Sequence, residues 1–152
     1  MKKKYKVKIY VYDLSCGTFK NLSRSILHKK IDAIWHSSIV VYDEEYFYGG
    51  KIFHDKPKKT EFGIPNREID IGETEISKEE FENYLRDISI DTFTEDKYHM
   101  IDNNCNHFTN NACLFLVGKE IPKYLTEQHL EFSNTLLGQI IFKVYNYFVN
   151  GK

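Results

Sequence analysis

Residues 103–118 read NNCNHFTNNACLFLVG. A polar, asparagine-rich lead passes into an apolar periodic run. Phe108, Ala112, Phe115 and Leu116 recur at i, i+4, i+7 and i+8, the spacing of one helical face. Gly118 suits a left-handed stop, and Pro122 lies just beyond it. The pattern predicts a helix that ends near Gly118 and places Cys105 in or before its first turn. Unpaired N–H groups and the helix dipole favour negative charge there, so a thiol loses its proton more readily than a free cysteine of pKa about 8.5. The same N–H groups can receive an oxyanion. Cysteine is also a small hydrophobe that is often simply buried, so position alone does not make a nucleophile.

A nucleophile needs a base, and six histidines are available: His28, His36, His54, His99, His107 and His129. His107 lies two residues after Cys105, and such positions do not face each other on a helix. His36 lies in "IWHSSIVVYDEEYFYGG", which reads as two β-rich runs joined near Asp43 and Glu44. A strand holds a side chain on rigid backbone, and the neighbouring Ser37 and Ser38 offer hydroxyls that could fix the imidazole tautomer. Read without other information, His36 fits a half-buried strand histidine bonded to a carbonyl better than a catalytic base. His28 and His129 read as solvated or capping residues, and His54 and His99 fall in apparent loops. Asn104 and Asn106 flank the cysteine and suit helix capping, or else contact with a substrate backbone.

Cys105, His107 and Cys113 also raise the question of a metal. Structural zinc sites pair ligands at C-x₂₋₄-C or H-x₃₋₅-H and need four of them; this spacing offers neither, so no metal site is expected. Cys113 falls beside the apolar stripe and reads as core. Cys16 follows the first strand in a loop with no base beside it.

Outward from this centre, "YKVKIYVYDL" alternates Tyr5, Val7, Ile9 and Val11 with Lys6, Lys8, Tyr10 and Tyr12, a period of two that suits a strand with one drier face. Residues 23–30 can form a short helix capped by Ser23. The stretch 51–66, "KIFHDKPKKTEFGIPN", has no clear periodicity and reads as a surface loop, after which "REIDI" resumes as a strand. Ser77 and Glu80 make a capping-box signature ahead of the helical stripe Phe81, Tyr84, Leu85 and Ile88, predicting a helix over 78–88. In the tail, Leu136, Leu137, Ile140, Ile141, Val144 and Phe148 share one helical side.

A chain of 152 residues, 41% apolar, can close one hydrophobic core and is short for two. Lysine and arginine number 21 against 22 acids, which lacks the basic surplus of a phosphate-backbone binder and argues against nucleic acid. No apolar run is long enough to span a bilayer, and the lysine-rich start does not read as a signal peptide. Three unevenly spaced cysteines fit a reducing compartment, the cytosol or nucleus.

The segments "YVYDLS", "IWHSSIVVY", "EYFYGG", "DIGETEI", "NNCNHFTN" and "FLVGKEIPKYL", in this order, closely resemble the PPPDE superfamily, and within it the DeSI-type desumoylating isopeptidases. The likeness runs from about Lys8 to Gln139. It implies an α+β architecture, a permuted papain-like cysteine peptidase fold with a small antiparallel sheet packed with helices, in which the histidine precedes the cysteine. On this likeness residues 1–139 form the peptidase domain and 140–152 a helical tail. Carried across residue by residue, the catalytic histidine falls on His36 and the nucleophile on Cys105. No cofactor is implied. The implied substrates are conjugates of a ubiquitin-like modifier, of SUMO type or ubiquitin, cut between the modifier's di-glycine end and a lysine side chain; a homodimer is compatible. Where family members often have "GGGI" followed by "CPPG", this chain has "GGKIFHDKPKKTEFG", so the likeness carries chemistry further than substrate identity. The same nucleophile could serve a thioesterase removing palmitate from cysteine, and the fold alone could serve an inactive binder of modifier tails.

Overall fold

The computed structural model describes residues 2–17, 33–133, 135, 138–140 and 143. Five strands form one antiparallel sheet: β1 (Tyr5–Asp13), β2 (Trp35–Val41), β3 (Glu44–Tyr48), β4 (Ile52–Asp55) and β5 (Arg67–Thr74), in the order β4-β3-β2-β1-β5. Among the described residues the helical elements α1 (Lys78–Asp91), α2 (Cys105–Val117), α3 (Lys123–Thr126) and α4 (Gln128–Ser133) follow. This is the α+β arrangement that the sequence resemblance implies. The predicted helix over 23–30 and most of the tail stripe lie outside the described residues.

Local chemistry explains most boundaries. Tyr42 and Asp43 turn the β2–β3 hairpin at φ 55° and 58°, the left-handed values that a tight two-residue turn requires. Ser77 caps α1 in a full capping box with Glu80, and Gly118 closes α2 at φ 68°. The expected surface loop over 51–66 is in part a strand. Ile52–Asp55 pairs with Glu45–Tyr48, because the Gly49–Gly50 turn folds it back onto β3 and backbone pairing needs no alternating pattern.

The period of two in β1 sends Val7, Ile9 and Val11 into the core, where Ile39 and Val41 of β2, Phe81 and Leu85 of α1, and Phe108, Ala112 and Leu116 of α2 meet them. The other face of β1 is drier than the alternation suggests, with Tyr10 and Tyr12 also buried. Segment 56–66 crosses that face. The fully buried carboxylate of Glu45 takes the Tyr12 hydroxyl, the Ser38 hydroxyl at 2.6 Å and the Lys58 N–H at 2.9 Å. Three donors on one buried acidic side chain offset much of the cost of burying it.

Candidate active site

Strand β2 pairs with β3 only over Ile39–Val41, so the edge ahead of Ile39 is open to another element. Helix α2 takes that edge with its first turn. The Ser37 N–H donates to the Cys105 sulfur, Thr109 Oγ1 donates to the Ser37 carbonyl at 3.1 Å, and the Ser37 hydroxyl donates to Asn106 Oδ1 at 2.6 Å. Asn106 Nδ2 reaches the Trp35 carbonyl at 3.0 Å. Gln128, the first residue of α4, grips the same residue: its Oε1 accepts from the Trp35 N–H at 2.9 Å, and its Nε2 donates to the Trp35 carbonyl at 2.7 Å. The start of β2 is therefore held by side-chain amides in place of a neighbouring strand.

Cys105 is the first residue of α2 and is 8% exposed. Its thiol is surrounded by donors: the N–H groups of Ser37, Asn106 and Cys105 itself, and the Tyr98 hydroxyl. These favour the thiolate, yet burial outweighs them and pushes the thiol up to about 11. The lowering expected from the helix start is present but does not win, because the sulfur is shut away from water. At neutral pH Cys105 is therefore a neutral thiol.

His36 sits one residue ahead of Ser37 and is 2% exposed. Its ring stacks on Phe62 at 4.0 Å between centroids and 30° between planes, with Tyr12 at 5.8 Å and Phe47 edge-on at 5.9 Å. Burial among these rings lowers its pKa to about 3, and Nε2 has no hydrogen-bond partner among the described residues. The two serines beside it do not fix its tautomer as the sequence suggests, since Ser37 is committed to Asn106 and Ser38 to Glu45. The structure thus brings the Cys105 sulfur against the backbone immediately after His36, at one end of β2.

Asn104 is the helix cap, accepting from the N–H groups of Asn106 and His107, and its amide donates to the Met100 carbonyl. Asn106 does not cap α2. It is fully buried and bridges α2 to β2. His107 closes the capping box, its Nδ1 accepting the Asn104 N–H at 3.2 Å. His129, expected to be solvated or capping, instead lines a cavity with Nδ1 buried and unpartnered among the described residues. His54 lies on β4 rather than in a loop, and His99 pairs with Asn103 in an isolated bridge. Cys113 is core, and Cys16 is exposed. Among the described residues no group of three or more histidine, cysteine and acidic side chains could hold a metal ion.

Beside Cys105 lies a cavity of about 300 Å³. Its wall is mainly apolar, with Leu14, Ile34, Trp35, Met100 and Ile101, and Tyr98, Asn104, Asn106 and Gln128 supply polar points. Tyr98 and Gln128 escaped the sequence reading because they belong to no periodic face and gain meaning only from what they touch. A small carbonyl compound in this cavity would meet Cys105, Tyr98 and the amide side chains of Asn104 and Gln128. That is the equipment of acyl transfer.

The family described as "PPPDE putative peptidase domain" matches residues 5–145. Desumoylating isopeptidase 1 of Xenopus laevis is 43% identical over 136 residues, covering 89% of this chain and 80% of the relative. The Homo sapiens protein of that name is 41% identical over 138 residues, 90% of this chain and 82% of the relative. A DeSI-like protein of Schizosaccharomyces pombe is 30% identical over 128 residues. The molecule is therefore an enzyme, a hydrolase of the cysteine-type isopeptidase class. The chain belongs to the PPPDE peptidase family.

Proposed function

We propose that this chain removes a ubiquitin-like modifier of SUMO type from lysine side chains, with Cys105 as nucleophile and His36 as base. The observation that carries this reading is the convergence of three backbone N–H groups and the Tyr98 hydroxyl on the Cys105 sulfur, one residue beyond His36 and at the wall of a cavity. The names of the relatives supply the modifier.

At neutral pH the Cys105 thiol is protonated and the His36 imidazole neutral, so the thiolate forms in the course of the reaction. His36 takes the thiol proton, the sulfur forms a bond to the modifier's terminal glycine carbonyl, and the oxyanion is met by the donors at the start of α2. The C–N bond then breaks as the imidazolium returns its proton to the lysine nitrogen. Water, deprotonated by His36, releases the acyl-enzyme as glycine carboxylate and restores the thiol. A di-glycine end is thin enough to pass where any side chain would clash, which gives steric selectivity.

Modifier probes with a C-terminal electrophile test the reading, one built on a SUMO-type modifier and one on ubiquitin. Labelling at Cys105 that disappears in Cys105→Ala and weakens in His36→Ala supports it, and the preferred probe names the modifier. Binding without any adduct would instead make the chain a docking module.

One observation favours a second substrate class. The wall of Leu14, Ile34, Trp35, Met100 and Ile101 suits an acyl chain, and thioesters are easier acyl donors than amides. Turnover of a palmitoyl-thioester reporter with neither modifier probe reacting would select this reading.

A further inference from the structure

We propose that Phe62 is a positioning residue for His36, holding the imidazole by stacking where papain-like triads use a hydrogen-bonding third residue; this rests on the reading of His36 as the base.

A catalytic imidazole must keep its ring plane fixed, because rotation about Cβ–Cγ exchanges a nitrogen for a carbon at the reacting position. Among the described residues no polar side chain is shown doing this for His36. Nε2 is unpartnered among the described residues, and the hydroxyls of Ser37 and Ser38 are both engaged elsewhere. The ring face is covered instead. Phe62 lies 4.0 Å from it and within 30° of parallel, so the ring cannot turn without driving its edge into the phenyl. Stacking uses the face and leaves both nitrogens at the edge free for proton transfer.

Phe62 is itself held from several sides. It packs edge-on to Phe47 at 5.2 Å and against Tyr12 at 5.5 Å. Its segment is tied to the sheet at both ends, by the Lys58 N–H on Glu45 and by the Asn66 N–H on the Val11 carbonyl at 2.8 Å. This segment is also where the sequence departs from the family pattern. The titratable groups shown on this side of the ring are Tyr12 of β1 and, behind the Tyr12 hydroxyl, Glu45 of β3.

The test compares Phe62→Leu, which keeps apolar bulk but not the flat face, with Phe62→Tyr, which keeps both. The full-length chain is used, with a SUMO-type modifier joined through an isopeptide bond to a fluorophore-bearing lysine. Phe62→Leu is expected to lower kcat about three- to tenfold with KM unchanged, the range one aromatic pair supplies, and Phe62→Tyr to stay within about twofold of the parent. In ¹⁵N-imidazole spectra, His36 should give one tautomer in the parent and in Phe62→Tyr, and an averaged signal in Phe62→Leu. Parent-like kcat and His36 spectrum in a folded Phe62→Leu overturns the proposal, and so does a rise in KM alone, which would make Phe62 a substrate contact. If His36→Gln keeps full turnover, the base assignment fails, a result distinct from any Phe62 outcome.

Discussion

Asn106 of α2 accepts the Ser37 hydroxyl of β2 across a 2.6 Å hydrogen bond, and both residues are fully buried. The bond fixes the first turn of the helix against the one stretch of β2 that lacks a β3 partner. It sets how far the Cys105 sulfur stands from the strand that carries His36.

Replacing Asn106 by leucine keeps the volume and removes the bridge. The Ser37 hydroxyl loses its acceptor and the Trp35 carbonyl loses one of two donors, so Asn106→Leu is expected to cost about 1–3 kcal/mol of stability. Denaturant unfolding measures this. Turnover should fall further than the folded fraction does, since the surviving molecules have lost the helix register.

Tyr98→Phe deletes one donor to the sulfur and little volume. A hydrogen bond to a charged group contributes about 1.5–3 kcal/mol, so the thiolate should be reached about tenfold or more less readily. The pH dependence of Cys105 alkylation reads this directly: its midpoint should move upward from the parent's.

Burial makes His36 a source of acid sensitivity. Its folded pKa, lowered to about 3, lies below the ordinary value of about 6.5, so below pH 6.5 the unfolded chain binds a proton that the fold refuses. Stability therefore falls as pH drops from about 6.5 towards 3, by about 1 kcal/mol per pH unit once well below the upper limit. The depressed pKa of His107 acts with the same sign. The lowered carboxyls of Asp13, Glu44 and Glu80 add their losses only below the usual carboxylate range. Thermal melts between pH 7 and 5 isolate the histidines, and His36→Gln should flatten the profile.

The exposed thiol, not the candidate nucleophile, is the one a small reagent should find first. Iodoacetamide at neutral pH is expected to label Cys16 ahead of Cys105, whose thiol is buried and pushed up to about 11. Peptide mapping by mass spectrometry gives the order. A modifier probe that brings its own carbonyl into the cavity should reverse it.

Glu45 is held by neutral donors alone, so Glu45→Leu leaves the Tyr12 and Ser38 hydroxyls and the Lys58 N–H without an acceptor. A loss of about 3 kcal/mol or more is expected, with loosening of segment 56–66 visible in amide exchange.

The strands, the hairpin turn, the capping box of α1 and the extent of α2 were legible because each is written in local chemistry: alternation, turn residues, Ser77 with Glu80, Gly118 at the stop. Cys105 was legible for the same reason, as the residue where a polar lead meets a periodic stripe. Strand β4 was not, because it is recruited by pairing to β3 and Phe53, His54 and Asp55 remain exposed without a buried face. The surroundings of His36 and of Cys105 were hidden too, since Phe62 beside the one and Tyr98 beside the other act through contacts that no spacing announces. The helix-start effect on Cys105 was read in the right direction, but its size against burial depends on packing that a sequence does not state.

The grip of Gln128 on the Trp35 peptide gives the last quarter of the polypeptide a share in the geometry beside the thiol. A proteolytic nick, splice variant or fusion junction that removes residue 128 would strip the Trp35 N–H of its acceptor even though the strand itself is intact. Recombinant versions for assay therefore need to extend through α4 to keep that anchor beside the thiol.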